Sequence, residues 1–134
     1  MARLTTVEGI GDVQAKKLTD AGIPTTQALL EAGHTPQGRK EIAEKTGIGD
    51  ELILDWINRV DLFRIKGIGE EYSDLLEWAG VDTVPELAQR NPENLHEKLI
   101  EVNKEKELVR QVPGLNQVKA WVAQAKELPR AIEY

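Results

Sequence analysis

The sequence predicts an all-α protein made of two pseudo-equivalent halves, each of about four to five short helices, and three observations carry that reading. First, VEGIGDVQAKKLTDAGIPTTQALL at 7–30 returns as IKGIGEEYSDLLEWAGVDTVPELA at 65–88, a shift of 58 with eight identities in 24 positions. The identities are Gly9/Gly67, Ile10/Ile68, Gly11/Gly69, Leu18/Leu76, Ala21/Ala79, Gly22/Gly80, Thr25/Thr83 and Leu29/Leu87. A repeat of that length marks one supersecondary unit used twice. Second, apolar residues recur at helical spacing, and no stretch sustains the alternation of a half-buried strand. Third, Thr-Pro, Asn-Pro and Ala-Gly pairs mark helix starts and stops along the whole chain.

Taken in order, Val13 to Ala21 reads as a short helix with Leu18 inward, ended by Gly22 as the left-handed residue. Thr26 to Ala32 is a second short helix. Thr35 and Pro36 supply an N-cap and a first-turn proline for a third, which stops at Gly47. Residues 50–64 form the clearest amphipathic helix of this half, with Ile53, Trp56, Ile57 and Val60 inward. The second half follows the same plan. Glu70 to Ala79 buries Tyr72, Leu75, Leu76 and Ala79; Thr83 with Glu86 forms a capping box; Asn91-Pro92 opens another helix. The last helix, Asn116 to Leu128, carries Val118, Trp121, Val122 and Ala125 at the spacing of the Trp56 stripe. Matching those two stripes needs a shift of 65, seven more than 58, which places an insertion in the charged segment 101–110. Residues 1–64 are thus the first half and 65–134 the second, with the helix 50–64 shared between them and the two expected to pack as one unit.

Composition narrows the function classes. The 134 residues contain no cysteine, which excludes disulfides, thiolate metal sites and cysteine nucleophiles. No segment has the apolar length of a signal peptide or membrane span, so a cytoplasmic protein is expected. The net charge of −6 runs against the basic face of most duplex-DNA binders. It is uneven: 8 basic and 10 acidic residues fall in 1–64, and 9 and 13 in 65–134.

The chemistry-bearing element is the Gly-Ile-Gly turn. A link this short between helices needs positive φ, which glycine supplies, while the isoleucine anchors the turn in the core. The second glycine leaves the first N–H groups of the next helix bare, at the positive end of its dipole. A phosphate oxygen suits such a surface. Gly9-Ile10-Gly11 with Ala15, and Gly67-Ile68-Gly69 with Ser73, resemble the helix-hairpin-helix superfamily, whose pattern is apolar-x-Gly-apolar-Gly followed by a small residue four positions on. Pro113-Gly114-Leu115-Asn116 with Ala120 is read as another copy, with asparagine in place of a glycine. Gly47-Ile48-Gly49 is a weaker one, because Ile53 fills the small-residue position. Over residues 4–128 the chain is similar to an uncharacterised bacterial family of tandem hairpin repeats, a domain of unknown function. The superfamily resemblance implies tandem hairpins whose turn amides hold a phosphate of one DNA strand, with nearby lysines and arginines adding charge.

Charge separates the turns. Residues 3–22 are balanced, with Arg3, Lys16 and Lys17 against Glu8, Asp12 and Asp20. Residues 61–80 carry a net −3, and Glu70 and Glu71 stand in the first helical turn, where they repel phosphate. From Leu108 to Lys126 there are three basic residues, Arg110, Lys119 and Lys126, and no acid. The expected nucleic-acid surface is therefore Arg110, Gly114, Leu115, Asn116 and Lys119 first, then Gly9, Ile10, Gly11, Lys16 and Lys17. The expectation is sequence-independent DNA binding without catalysis. The alternative is a protein-interaction module or scaffold with purely structural hairpins, meeting a partner through Trp78, Glu70, Glu71 and Asp74.

Other signals point to architecture. Arg39 to Ile48 followed by the Trp56 helix imitates a helix-turn-helix, but its second helix would bring Asp50, Glu51 and Asp55 to a phosphate-lined groove. His34 and His96 lie far apart, neither with a zinc-ligand companion at three or four residues, and Ser73 is the lone serine, so no metal, cofactor, small-molecule substrate or catalytic group is expected. Trp78, whose counterpart is Asp20, falls off the apolar stripe of its helix and is read as a contact between the halves ahead of a partner-binding aromatic.

Overall fold

A computed structural model describes residues 3–134. A 3-10 turn at Leu4–Thr6 precedes α1 (Asp12–Asp20), α2 (Thr26–Gly33), α3 (Pro36–Thr46) and α4 (Asp50–Leu62), followed by α5 (Glu70–Trp78), α6 (Val84–Ala88), α7 (Pro92–Lys106) and α8 (Leu115–Glu127). Among the described residues there is no strand, only an isolated bridge between Arg3 and Thr25. None of these helices is long and apolar enough to cross a membrane.

Local chemistry sets most boundaries. Thr25, Thr35, Thr83 and Asn91 each accept a hydrogen bond from the amide three residues on, starting α2, α3, α6 and α7. The Glu86 carboxylate, expected to bond back to the cap residue, instead accepts from the Asp82 amide at 3.3 Å. The repeated positions share one backbone: φ is +96° at Gly9 and +95° at Gly67, and +91° at Gly22 and +92° at Gly80. The closing bond recurs too, from the Ile23 amide to the Leu18 carbonyl and from the Val81 amide to the Leu76 carbonyl, both 2.9 Å.

The chain divides into two compact units, one running to Asp61 and including Ala131–Tyr134, the other Leu62–Arg130. In the first, the α4 stripe Ile53, Trp56, Ile57 and Val60 is buried with Leu18, Leu29 and Ile42. Gly33 lies so close beneath α4 that a Cβ there would overlap Ile57 Cδ1. The end of the chain straps this unit. Ile132 is buried, the Glu133 amide donates to the His34 carbonyl at 2.7 Å, and the buried Arg39 donates to the Gly33 and Glu133 carbonyls, both at 2.9 Å. Arg39 is thus a buried tie, because its five donors can satisfy carbonyls from two segments at once.

The second unit has a continuous core in which Leu75, Leu76, Leu87, Leu99, Val118 and Trp121 are nearly inaccessible. Its third helix differs from its counterpart, since α7 has 15 residues where α3 has 11. It ends on Glu107 at φ +52°, the one non-glycine positive φ among the described residues, and Asn103 pins the following loop by bonds to the Val109 amide and carbonyl at 2.9 and 3.0 Å.

Candidate functional site

Three of the helices begin differently from those capped by Thr or Asn. Gly11, Gly69 and Gly114 stand at the N-caps of α1, α5 and α8 in extended conformation, with no side-chain cap. All three are exposed, and a Cβ on any of them would meet nothing within 4 Å. The first helical bonds are made by the amides of Ala15, Ser73 and Val118, so the N–H groups of 12–14, 70–72 and 115–117 have no partner within their helices. Each start therefore offers uncovered donors at the positive end of a helix dipole, a shape and polarity suited to an anion.

The turns before these starts are of two kinds. In the first two, Gly9 and Gly67 are left-handed, Ile10 and Ile68 are buried, and Ala15 and Ser73 fill the small position. Each glycine is backed by an indole: Trp56 Nε1 lies 3.1 Å from the Cβ position of Gly9, and Trp121 Nε1 lies 3.2 Å from that of Gly67. Trp56 Nε1 is buried there without a hydrogen-bond partner. The turn into α8 departs from the expected register. Gly114 has φ −71° and ψ 161° as the N-cap, so it stands where Gly11 does and not where Gly9 does. Leu115 and Asn116 are the first two helical residues, and Asn116 occupies no left-handed site. Four residues after Gly114 comes the buried Val118, just as Ile53 comes four after Gly49. The turns into α4 and α8 are thus the matching pair, both with a large apolar residue where α1 and α5 have a small one. The residue before Gly114 marks this register better than the residue after it, since the buried Pro113 takes the place of Ile10.

Charge at these starts follows the sequence only partly. The first turn of α8 has no acidic residue, that of α1 has Asp12, and that of α5 has Glu70 and Glu71. Yet the stretch around α8 is not free of acid in space. Glu93 of α7 lies 3.7 Å from Lys119, and Arg110 borders a surface cavity of about 660 Å³ shared with Glu71, Lys104 and Glu107. On α1, Lys16 pairs with Asp20 at 3.0 Å, while Lys17 shares a smaller concavity, about 400 Å³, with Asp20 and Lys45. Lys45 and Glu93 are both distant in sequence from the lysines they stand beside.

Trp78 is 54% exposed instead of covered, and what sits over its ring is the Lys106 ammonium, 4.4 Å from the centroid. Glu70 and Glu71 are exposed on the same helix, and Asp74 is half-buried. Elsewhere, the Ser73 hydroxyl is buried and donates to the Glu70 carbonyl at 2.9 Å, and His34 Nδ1 lies 2.8 Å from the Glu31 carbonyl oxygen. Among the described residues no three His, Asp or Glu side chains converge on a metal-sized site. The helix-turn-helix imitation presents Asp50, Glu51 and Asp55 to solvent.

The DUF4332 family, described as a domain of unknown function, matches residues 8–128. The chain belongs to that family. No solved structure matches it. The DUF4332 description carries no activity, so a functional reading of this member rests on its bare helix starts and the charges around them.

Proposed function

We propose that this DUF4332 protein is a non-catalytic, cytoplasmic, helix-hairpin-helix-like binder of the nucleic-acid backbone, DNA in the first instance. The start of α8 is its main phosphate contact and the start of α1 its second. The observation that carries this reading is the glycine-capped start of α8, exposed, with no carboxylate in its first turn. Amides of Leu115, Asn116 and Gln117 supply the hydrogen bonds, and Arg110 and Lys119 supply charge. Ile10 and Pro113, both buried, contribute backbone position only. The start of α5 takes no part, because Glu70 and Glu71 already satisfy its dipole and repel phosphate. Backbone amides read no bases, so binding is insensitive to sequence and sensitive to salt.

Fluorescence anisotropy with duplex, forked and single-stranded DNA, titrated with salt, tests this. Two to four phosphate contacts give a logarithmic salt slope of roughly −2 to −4. Arg110→Glu with Lys119→Glu abolishes binding, and Glu70→Gln does not weaken it. Glu93→Gln releases Lys119 and tightens binding by about two- to threefold. No binding to any probe at low salt ends the proposal.

A further inference from the structure

Position 20 of the first repeat and position 78 of the second are equivalent, and both hold a cation. Asp20 takes Lys16 from its own helix at 3.0 Å; Trp78 takes Lys106 from α7, 4.4 Å above its ring. The rest of the α5 face is anionic. Its outward positions Glu70, Glu71 and Asp74 lie one helical turn apart from one another or from Trp78, and α5 itself carries no basic residue. An indole is the strongest of the aromatic cation acceptors, and here more than half of it is open to solvent beside carboxylates. Tryptophan is enriched among the residues that carry most of the energy of protein contacts.

We propose that the outward face of α5, centred on Trp78, docks an arginine- or lysine-rich segment of a partner protein. An incoming guanidinium or ammonium takes the place of Lys106 on the Trp78 ring, and neighbouring basic residues pair with the exposed Glu70 and Glu71. Arginine fits best, because its planar head stacks on the indole and is less strongly hydrated than an ammonium. A nucleic acid is repelled by these carboxylates, so the proposal does not rest on the reading given above, although Arg110 of that reading borders the same cavity as Glu71.

The test uses the full chain and a fluorescein-labelled synthetic peptide of alternating Arg and Gly, with an alternating Glu-Gly peptide as charge control. Saturable binding of the Arg peptide at low salt is expected. Trp78→Ala, which leaves every charge in place, weakens it about tenfold, and Trp78→Phe by less. Lys106→Ala tightens binding two- to threefold, and that gain disappears in the Trp78→Ala background. Lys119→Glu leaves the Trp78-dependent part unchanged. Equal affinity of wild type and Trp78→Ala, or a Lys106→Ala gain that survives without the indole, reduces the effect to net charge and overturns the proposal. Absence of saturable binding overturns it as well.

Discussion

On α1 the side chains at Val13, Lys16, Lys17 and Asp20 are all exposed; on α5 the matching positions are Glu71, Asp74, Leu75 and Trp78. The backbones are alike, with N-cap glycines extended and C-cap alanines at φ −86° in both. One position changes sides. Lys17 is in solvent, whereas Leu75 is 1% exposed in a cluster with Val102 and Val109. Those two valines belong to the longer α7 and its pinned loop, for which the first unit has no equivalent. The added residues thus extend the core over one flank of α5. The same elongation carries Lys106 to Trp78 and lets the Tyr72 hydroxyl donate to the Gln111 carbonyl at 3.1 Å. The comparison teaches that glycines and apolar anchors preserve the repeated frame, while the surface over that frame changes sign and even burial.

The largest expected break comes from the indoles that back the turns at Gly9 and Gly67. Trp56→Ala and Trp121→Ala each lose about 3–5 kcal/mol in urea denaturation, since both side chains are fully buried. Equal losses would show that the two frames are equally supported. A loss under about 1 kcal/mol at either one would remove the indole as a structural element of the turn.

Smaller effects separate the two kinds of turn. Gly9→Ala and Gly67→Ala cost about 1–3 kcal/mol, because an L-residue is strained at φ near +95° and its Cβ presses on an indole. Gly114→Ala, at φ −71° with open space around it, costs about 0.5 kcal/mol. Comparable losses at all three would mean that the start of α8 follows a turn of the first kind after all. The smallest change sharpens the surface contrast: Asp20→Trp stays within about 0.5 kcal/mol of wild type, because the Lys16–Asp20 pair is exposed. It creates no second Arg-peptide site, because α1 presents Val13 and Lys16 where α5 presents Glu71 and Asp74. Peptide capture by that variant with Trp78 removed would show that an indole alone is enough.

Much of the frame was legible along the chain. Thr35, Thr83 and Asn91 act as caps within three residues of themselves, and the Ile53/Trp56/Ile57/Val60 and Val118/Trp121/Val122/Ala125 stripes face inward because a helix brings every third or fourth side chain to one side. The end of α7 was not legible, since Glu107 takes a left-handed conformation that glycine normally announces. The register of Gly114 is hidden for a related reason: Gly-Leu-Asn resembles Gly-Ile-Gly in composition, while the backbone there begins a helix two residues earlier than that match implies.

Sequence by itself determined the helical class, the repeated glycine turns and the inward stripes, because each depends on dihedral preference and spacing within one or two turns of chain. Tertiary structure alone decided that Arg39 ties down residues 131–134, that Glu93 stands over Lys119, and that Lys106 rests on Trp78. Those pairings join residues up to 94 positions apart. Coulomb and hydrogen-bond energies depend on distance in space, which the order of residues along the chain does not contain.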